Sequence, residues 1–241
     1  MNAIDNINII IIMGIDDWVS LSNIEGVVCY NSGQAPNADV KRLALATLRE
    51  ILHQGLMEVG YLRKDGFHKW EMSEREAMEE IDRIWDINEP ERKWGYICWF
   101  QNTAKGNEKG EELITRIQRC RESLVIRGMD CLLHASDIAS VAIEVGGAAT
   151  VGEIRWLSLE MIDPLVQDGH IEIGDFVETD GDPKLGFKPW SLQYDYNIER
   201  IEDEWLALGR NPIPGEICCL RITSKGREMA EELKRHKDNE P

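Results

Sequence analysis

Carboxylates are the residues of this chain with the clearest capacity for chemistry, and they gather in three stretches. The stretch 178–183 has the composition of a loop, whereas the stretches 74–86 and 199–204 have helical spacing. Grouped carboxylates can hold a metal ion or bind the basic surface of another protein. The candidate partner-binding residues are Glu178, Asp180, Asp182, Glu79, Asp82, Glu202 and Asp203.

The acidic segment 178–183 helps to decide whether the ligand of these carboxylates is a metal ion or another protein. It lacks the distant bidentate Glu and the alternating ligands of an EF-hand calcium loop. The six cysteines have no CxxC spacing, so buried reduced thiols are expected instead of a zinc or redox motif. We therefore expect no metal and no cofactor. This segment is either a solvent-exposed loop without a binding role or a binding site for a basic partner.

Motifs for catalysis are missing from the sequence. The five histidines are not paired by the internal repeat described below, and the HExxH, Walker A, GxGxxG and Gly-x-Ser-x-Gly spacings do not occur. Catalysis requires a nucleophile, a base and an orienting group that converge in one pocket. We predict that the protein is not an enzyme.

The charge balance favours a basic partner. The chain carries 44 Asp plus Glu against 27 Lys plus Arg, a formal net charge of −17, and is 43% hydrophobic. This composition supports a packed core but repels the phosphate backbone of nucleic acids. The longest apolar run, 7–14, is shorter than the roughly 20 residues that cross a bilayer, and no positive n-region precedes it. We expect a cytoplasmic protein without a membrane segment.

A tandem repeat organises these residues. Gly14 and Asp16 recur 114 residues later as Gly128 and Asp130, and after six extra residues in the second copy the spacing becomes 120. Pairs at the wider spacing are Gly66 and Gly186, Trp70 and Trp190, Trp85 and Trp205, and Thr103 and Thr223. We predict two homologous domains, 1–114 and 115–241. Both are acidic, with 12 basic against 20 acidic residues in the first and 15 against 24 in the second.

Two helices of the first copy have recognisable start signals. Apolar residues recur every three or four positions over 40–52, which predicts a helix that is capped by Asp39 and stops at Gly55. Ser73 followed by Glu76 is a capping-box signature for a second helix, whose outer face is acidic.

The tryptophans divide into two groups. Trp85 and Trp205 lie at helical spacing from apolar residues, which predicts core positions. Four others have no tryptophan in the other copy, and one or two of them are candidates to face a partner. They are Trp18, Trp94, Trp99 and Trp156.

Two repeated phrases carry a family resemblance. A leucine-rich helix end with its glycine, 51–58, recurs as 165–172, and the phrase 103–106, Thr-Ala-Lys-Gly, recurs as 223–226. With the order helix, helix, strand, strand, helix, these phrases resemble the winged-helix superfamily. The resemblance implies an α+β, mainly helical fold of two tandem winged-helix-like domains. The helical segment between the wing strands departs from the short hairpin that is usual in the family, so we predict a helical insertion between the wing strands of each domain.

DNA binding is the alternative function that this resemblance implies. The segment 39–54 would be the recognition helix, and the groups facing a duplex would be Lys41, Arg42, Arg49 and His53. The matched helix of the second copy carries Glu153, Arg155, Glu160, Asp163 and Asp168. A surface with this net negative charge would be repelled by phosphate. We therefore expect nucleic-acid binding to be disfavoured, with a transcription regulator as the rival interpretation.

A second pattern resembles uncharacterised bacterial proteins of toxin and immunity loci. It consists of Gly-Phe-x-x-Trp at 66–70, Trp85, and Gly-x-Ile-Cys at 95–98. The resemblance implies an immunity protein that neutralises a cognate basic toxin of the contact-dependent or polymorphic class, nucleases among them. A scaffold protein whose wings pair with other chains is a third interpretation, and the sequence leaves the oligomeric state undecided.

Overall fold

The computed structural model describes residues 3–32, 36–88, 98–177, 186–190 and 194–238. These residues form an α+β structure that is mainly helical, with two small antiparallel sheets. The chain divides into two compact units, Met1–Ile114 and Thr115–Pro241.

Unit 1 contains four helices and four short strands within the described residues, followed by a long helix, α5, that crosses into unit 2. In chain order these elements are α1 (Ala3–Asp16), β1 (Val19–Ser20), α2 (Leu21–Ser32), α3 (Ala38–His53), β2 (Met57–Arg63), β3 (Gly66–Lys69), α4 (Glu74–Asn88), β4 (Trp99–Asn102) and α5 (Ala104–Arg127).

Unit 2 continues from the second half of α5 with the same succession of elements. They are β5 (Leu133–His134), α6 (Ala135–Glu144), α7 (Val151–Gln167), β6 (Ile171–Phe176), β7 (Phe187–Pro189), α8 (Tyr194–Leu208), β8 (Cys219–Ile222) and α9 (Ser224–Asp238). The spacings of 114 and 120 residues place β5 on β1, α8 on α4 and β8 on β4, so each element of one unit has a counterpart in the other.

The two sheets have matching strand orders. Unit 1 has the order β1-β4-β2-β3 and unit 2 the order β5-β8-β6-β7, with antiparallel pairing throughout. Val59 is opposite Phe100 in unit 1, and Ile173 is opposite Leu220 in unit 2. These apolar pairs are buried against the helices, which fixes the register, because a slip by one residue would turn them to the solvent.

Helix α3 packs through the apolar face that its spacing predicts, but its N-cap differs from the predicted one. Val40, Leu48 and Ile51 recur on one face and are buried. The N-cap is Asn37, not Asp39 as predicted, because the Asn37 side chain accepts hydrogen bonds from the backbone N–H groups of Asp39 and Val40 at 2.8 and 3.0 Å. Asp39 lies in the first turn, where its negative charge favours the helix dipole.

The capping box predicted for α4 is confirmed. The backbone N–H and the hydroxyl of Ser73 donate to Glu76 Oε2 at 2.8 and 2.6 Å, and the Glu76 N–H points back to Ser73 Oγ. These hydrogen bonds lower the pKa of Glu76. The box fixes the start of α4 and therefore the direction in which its acidic residues point.

The repeated phrase Thr-x-Lys-Gly has a structural role that is the same in both units. In unit 1, Thr103 Oγ1 donates to Gly55 O at 2.7 Å, and Lys105 Nζ donates to Gln54 O at 2.8 Å. These bonds satisfy carbonyls at the end of α3. Gly106 lies so close to the carbonyl oxygen of Leu56 that a side chain would overlap it.

Unit 2 repeats this arrangement at the end of α7. Thr223 Oγ1 donates to Gly169 O at 2.8 Å, and Lys225 Nζ donates to Asp168 O at 2.7 Å. Gly226 approaches the carbonyl oxygen of His170 in the same way. The duplicated phrase therefore joins the end of one helix to the start of another.

Candidate functional site

Four of the seven candidate carboxylates lie on the equivalent helices α4 and α8. Glu79 and Asp82 are exposed on α4, and Asp203 is exposed on α8, whereas Glu202 is buried. The loop candidates Glu178, Asp180 and Asp182, with most of the six-residue insertion, lie outside the described residues. Trp94 and 95–97 also lie outside them.

The carboxylates of helix α4 all have partners within unit 1. Each of its six acidic side chains lies beside a basic or hydroxyl side chain of unit 1. The pairs are Glu74 with His53, Glu76 with Ser73, Glu79 with Arg75, Glu80 with Arg83, and Asp82 and Asp86 with Lys41. The candidates Glu79 and Asp82 are thus both committed to intramolecular ion pairs.

Lys41 is the centre of the network between α3 and α4. Its Nζ lies 2.6 Å from Asp82 Oδ1 and also donates to Asp86, and its side chain is only 19% exposed. Partial burial acts to lower the pKa of Lys41, but the hydrogen bonds to Asp82 and Asp86 outweigh it and the pKa is raised. This cation therefore stays charged and neutralises the middle of the acidic helix.

The expectation that Glu202 lies on an exposed face was wrong. Glu202 follows Ile198 by one turn and precedes Trp205 by nearly one turn, so it lies on the stripe that faces the core. It is only 8% exposed, and Trp205 is 1% exposed. Its position at the edge of the apolar stripe removes it from the partner-binding candidates.

The outer face of α8 differs from that of α4. Four exposed residues follow one another at spacings of three, four and three residues: Tyr196, Glu199, Asp203 and Leu206. We call them the α8 stripe. Tyr196 is 58% exposed and Leu206 is 38% exposed. Within the described part of the chain, Glu199 and Asp203 form no hydrogen bond or ion pair, so two unneutralised carboxylates lie between two exposed apolar groups.

The α8 stripe was only partly found from the sequence. Glu199 and Asp203 belong to the acidic stretch 199–204, but Tyr196 and Leu206 were missed. The available signal was the inward spacing of Ile198, Ile201 and Trp205, because any residue out of phase with that stripe must face outward.

A partly exposed network links α8 to residues at the sheet of unit 2. Trp190 Nε1 donates to Asp175 at 2.8 Å, and the Arg200 guanidinium lies 3.8 Å from the centre of the Trp190 ring. Arg200 also pairs with Glu204 at 2.7 Å. The corresponding Trp70 of unit 1 has a buried Nε1 without a hydrogen-bond partner and packs against Tyr61. Arg200 therefore pairs with Asp175 and Glu204, and among the described residues it forms no ion pair with the α8 stripe.

The residues proposed to touch DNA are all close to carboxylates. Lys41 is held by Asp82 and Asp86, and Arg42 lies 3.4 Å from Asp39. His53 faces Glu74 at 3.6 Å. Arg49 lines a cleft of about 560 Å³ between α3 and α4, together with Glu74, Glu79 and Asp82. No continuous cationic face results.

The matched helix α7 of unit 2 is largely buried. Arg155 is 8% exposed, and Glu153 pairs with Arg116 of α5 at 2.8 Å. Burial raises the pKa of Glu160, and Asp163 adds to this effect. A helix in this environment has little free surface to place in a groove.

All six cysteines are free thiols. Four cysteines are buried, and burial raises the pKa of the Cys98 and Cys218 thiols. Cys219 Sγ lies 3.3 Å from His134 Nδ1, but burial also raises the pKa of this thiol. In the described ranges, no group of three or more His, Cys, Asp or Glu side chains has an arrangement that could hold a metal ion.

Comparisons of the chain with protein-family models, with curated proteins and with solved structures find no match. None of the helices in the described part of the chain is both long enough and apolar enough to cross a membrane.

Proposed function

We propose that this chain is an acidic protein-binding module of the cytoplasm, an immunity protein that neutralises a cognate basic bacterial toxin by covering the toxin's active site. The observation that supports this proposal best is the α8 stripe. Its carboxylates form no ion pair with the described residues, so a partner can neutralise them without breaking one, whereas a partner of α4 would have to displace existing hydrogen bonds or ion pairs.

The composition of the α8 stripe suits a protein partner. Well-defined interfaces combine aromatic and aliphatic anchors with polar groups around them, and Tyr is enriched in their energetic centres. Tyr196 and Leu206 supply the anchors, and Glu199 and Asp203 supply the charge. A net charge of −17 adds long-range attraction that speeds encounter with a basic protein. Covering an active site in this way requires no catalytic group.

We also propose that both units are winged-helix-like domains whose wings carry an insertion. The pairing of β2 with β4, and of β6 with β8, supports this proposal, because each pair has the antiparallel arrangement of wing strands. Strand β3 and helix α4, or β7 and α8, lie between them in the chain. In this interpretation the inserted helix of the second copy, and not the recognition helix, carries the binding surface.

The decisive experiment uses growth protection. The basic protein encoded next to this chain is expressed from an inducible promoter, and the chain is co-expressed. We expect growth arrest by the basic protein alone and protection by the chain. The variant Glu199→Lys/Asp203→Lys should lose protection and bind at least about 100-fold more weakly, because two attractive contacts become repulsive. The matched control Glu79→Lys/Asp82→Lys, which changes the same charges on α4, should retain most of the affinity.

Two outcomes would contradict the proposal. Full protection by the α8 variant would exclude the α8 stripe as the binding surface. A specific, salt-sensitive complex with the DNA upstream of the gene in a mobility-shift assay, together with no protection, would favour the transcription-regulator alternative.

A further inference from the structure

A second distinctive surface lies in unit 1, at the corner where helix α1 and strand β4 both end. A cleft of about 350 Å³ opens there, and its walls include Asp16, Asp17, Trp18, Gln101 and Asn102. None of these residues belongs to the α4 or α8 surfaces. The cleft lies entirely within the described residues.

The charge of this cleft is negative and uncompensated. Asp16 and Asp17 are exposed, and among the described residues neither has an ion-pair partner. Asp17 Oδ1 accepts a hydrogen bond from the neighbouring Trp18 N–H at 2.7 Å. The last carbonyl groups of the 14-residue helix α1 point to the same place and add the negative end of its dipole.

A buried acceptor adjoins the carboxylates. Asn102 is only 6% exposed, and its Nδ2 donates to Ile11 O at 2.9 Å. Its Oδ1 has no hydrogen-bond partner among the described residues and lies 2.6 Å from the position that a side chain on Gly14 would occupy. Gly14 lines the same cleft. A buried acceptor without a donor costs about 1–3 kcal/mol, so a donor that reached this oxygen would be favourable.

An aromatic face completes the cleft. Trp18 is 37% exposed, and its Nε1 donates to Gln101 Oε1 at 3.2 Å, which holds the indole ring in a fixed position. The face of an indole ring attracts a cation, and it attracts the planar guanidinium group especially well.

The second copy keeps the frame of this corner but not its chemistry. Gly14 corresponds to Gly128, which allows the same close approach, now to Ile222. Asp16 recurs as Asp130, but the other acceptors and the aromatic ring are replaced. Asp17, Trp18, Gln101, Asn102 and Asn107 correspond to Cys131, Leu132, Arg221, Ile222 and Arg227. The fold therefore does not require Asp17, Trp18 or Asn102 of unit 1.

We infer that this cleft binds the guanidinium group of an arginine side chain from the basic partner. The planar donor stacks on Trp18, its N–H groups donate to Asp16 and Asp17, and a further N–H reaches toward Asn102 Oδ1. This inference rests on the proposed function for the origin of the arginine, but the cleft can be tested without any partner.

The test is a titration of the full chain with Nα-acetylarginine amide, followed by the indole N–H signal of Trp18 in two-dimensional NMR. The signal is assigned with Trp18→Phe. We expect a saturable shift that weakens as salt is added. In Asp16→Asn/Asp17→Asn the affinity should fall about tenfold, because the Asn side chains keep the local hydrogen bond but not the charge.

The matched control is Asp130→Asn/Glu228→Gln, which removes two exposed carboxylates from unit 2 and should leave the affinity unchanged. No shift at Trp18, or an equal loss in both double variants, would overturn the cleft as a site. Nα-acetyllysine amide should bind several-fold more weakly, and equal binding would overturn the guanidinium assignment.

The variant Asn102→Ile introduces the residue that unit 2 carries at this position. It should weaken arginine binding while the protein stays folded, as judged by circular dichroism. The cleft inference and the proposed function fail separately. Arginine binding without protection against a toxin would refute only the function, and protection that survives Asp16→Asn/Asp17→Asn unchanged would refute only the cleft's role.

Discussion

Helices α4 and α8 occupy equivalent positions in the two units and are both 15 residues long, yet they differ in whether their outward-facing carboxylates form ion pairs. Both bury a stripe that ends in a tryptophan, Trp85 or Trp205. The carboxylates of α4 all have partners within unit 1, whereas Glu199 and Asp203 of α8 have none among the residues that the structure describes. A duplicated frame can therefore keep its core and leave one copy of its surface free for an outside partner.

The largest expected effect concerns the frame that the two units share. Gly106→Ala and Gly226→Ala should each destabilise the protein by about 3 kcal/mol, because the new methyl group would overlap a backbone carbonyl that is held in place. Calorimetry or urea unfolding measures this. The control Gly26→Ala, in a helix with open space around it, should be neutral or stabilising. A clearly unequal loss of unfolding free energy for Gly106→Ala and Gly226→Ala would contradict the structural equivalence of the two units.

A smaller difference should separate the two matched tryptophans. Trp190→Phe should cost about 1.5 kcal/mol more than Trp70→Phe, because it loses a hydrogen bond to Asp175 and the stacked Arg200, whereas the Trp70 N–H has no partner to lose. Both variants lose similar volume, so each serves as the other's control. Equal costs measured by thermal unfolding would show that the Trp190 network adds nothing.

The Lys41 network should contribute about 1 kcal/mol. Lys41→Met keeps the packing of the stem but leaves Asp82 and Asp86 together without a cation. The folded-state pKa of Lys41 is raised, so its stabilisation is fully present below the unfolded value of 10.5 and is lost as the pH rises through the folded pKa. The difference in unfolding free energy between the wild type and the variant should be constant from pH 7 to 9 and should shrink at pH 11. A difference that persists at pH 11 would assign the effect to packing.

The smallest effect is expected on the outer face of α4. Arg83→Asp introduces the residue that α8 has there, Asp203, and should change stability by less than about 0.5 kcal/mol, because the Arg83–Glu80 pair is exposed. The hydrogen bond from Arg83 lowers the pKa of Glu80, so this pKa should rise in the variant, which an NMR titration can follow. An unchanged Glu80 pKa would contradict the ion pair.

The sequence alone predicted the repeat and the main helices because those depend on spacing along the chain. It assigned the wrong cap to α3, since Asn37 and Asp39 are both good caps and only the backbone conformation chooses between them. It also placed Glu202 outside the core. The spacing of the apolar stripe does not reveal how wide the buried face is.

The candidate site was less predictable than the fold. Whether a carboxylate is free depends on partners far away in the chain, as Lys41 and Asp82 show. Trp18 could be singled out because it has no counterpart in the other copy. Asn102 could not, because an isolated asparagine gives no sign of burial until the packing of Gly14 against it is known.

Helix α5 belongs to both copies, since its first half matches α9 and its second half matches α1. Truncating the chain between residues 114 and 115 would divide a continuous helix and leave a short, poorly ordered helix end on each fragment. A fragment that is expressed to contain either copy alone should therefore include all of residues 104–127. A protease added to the intact chain should spare this helix.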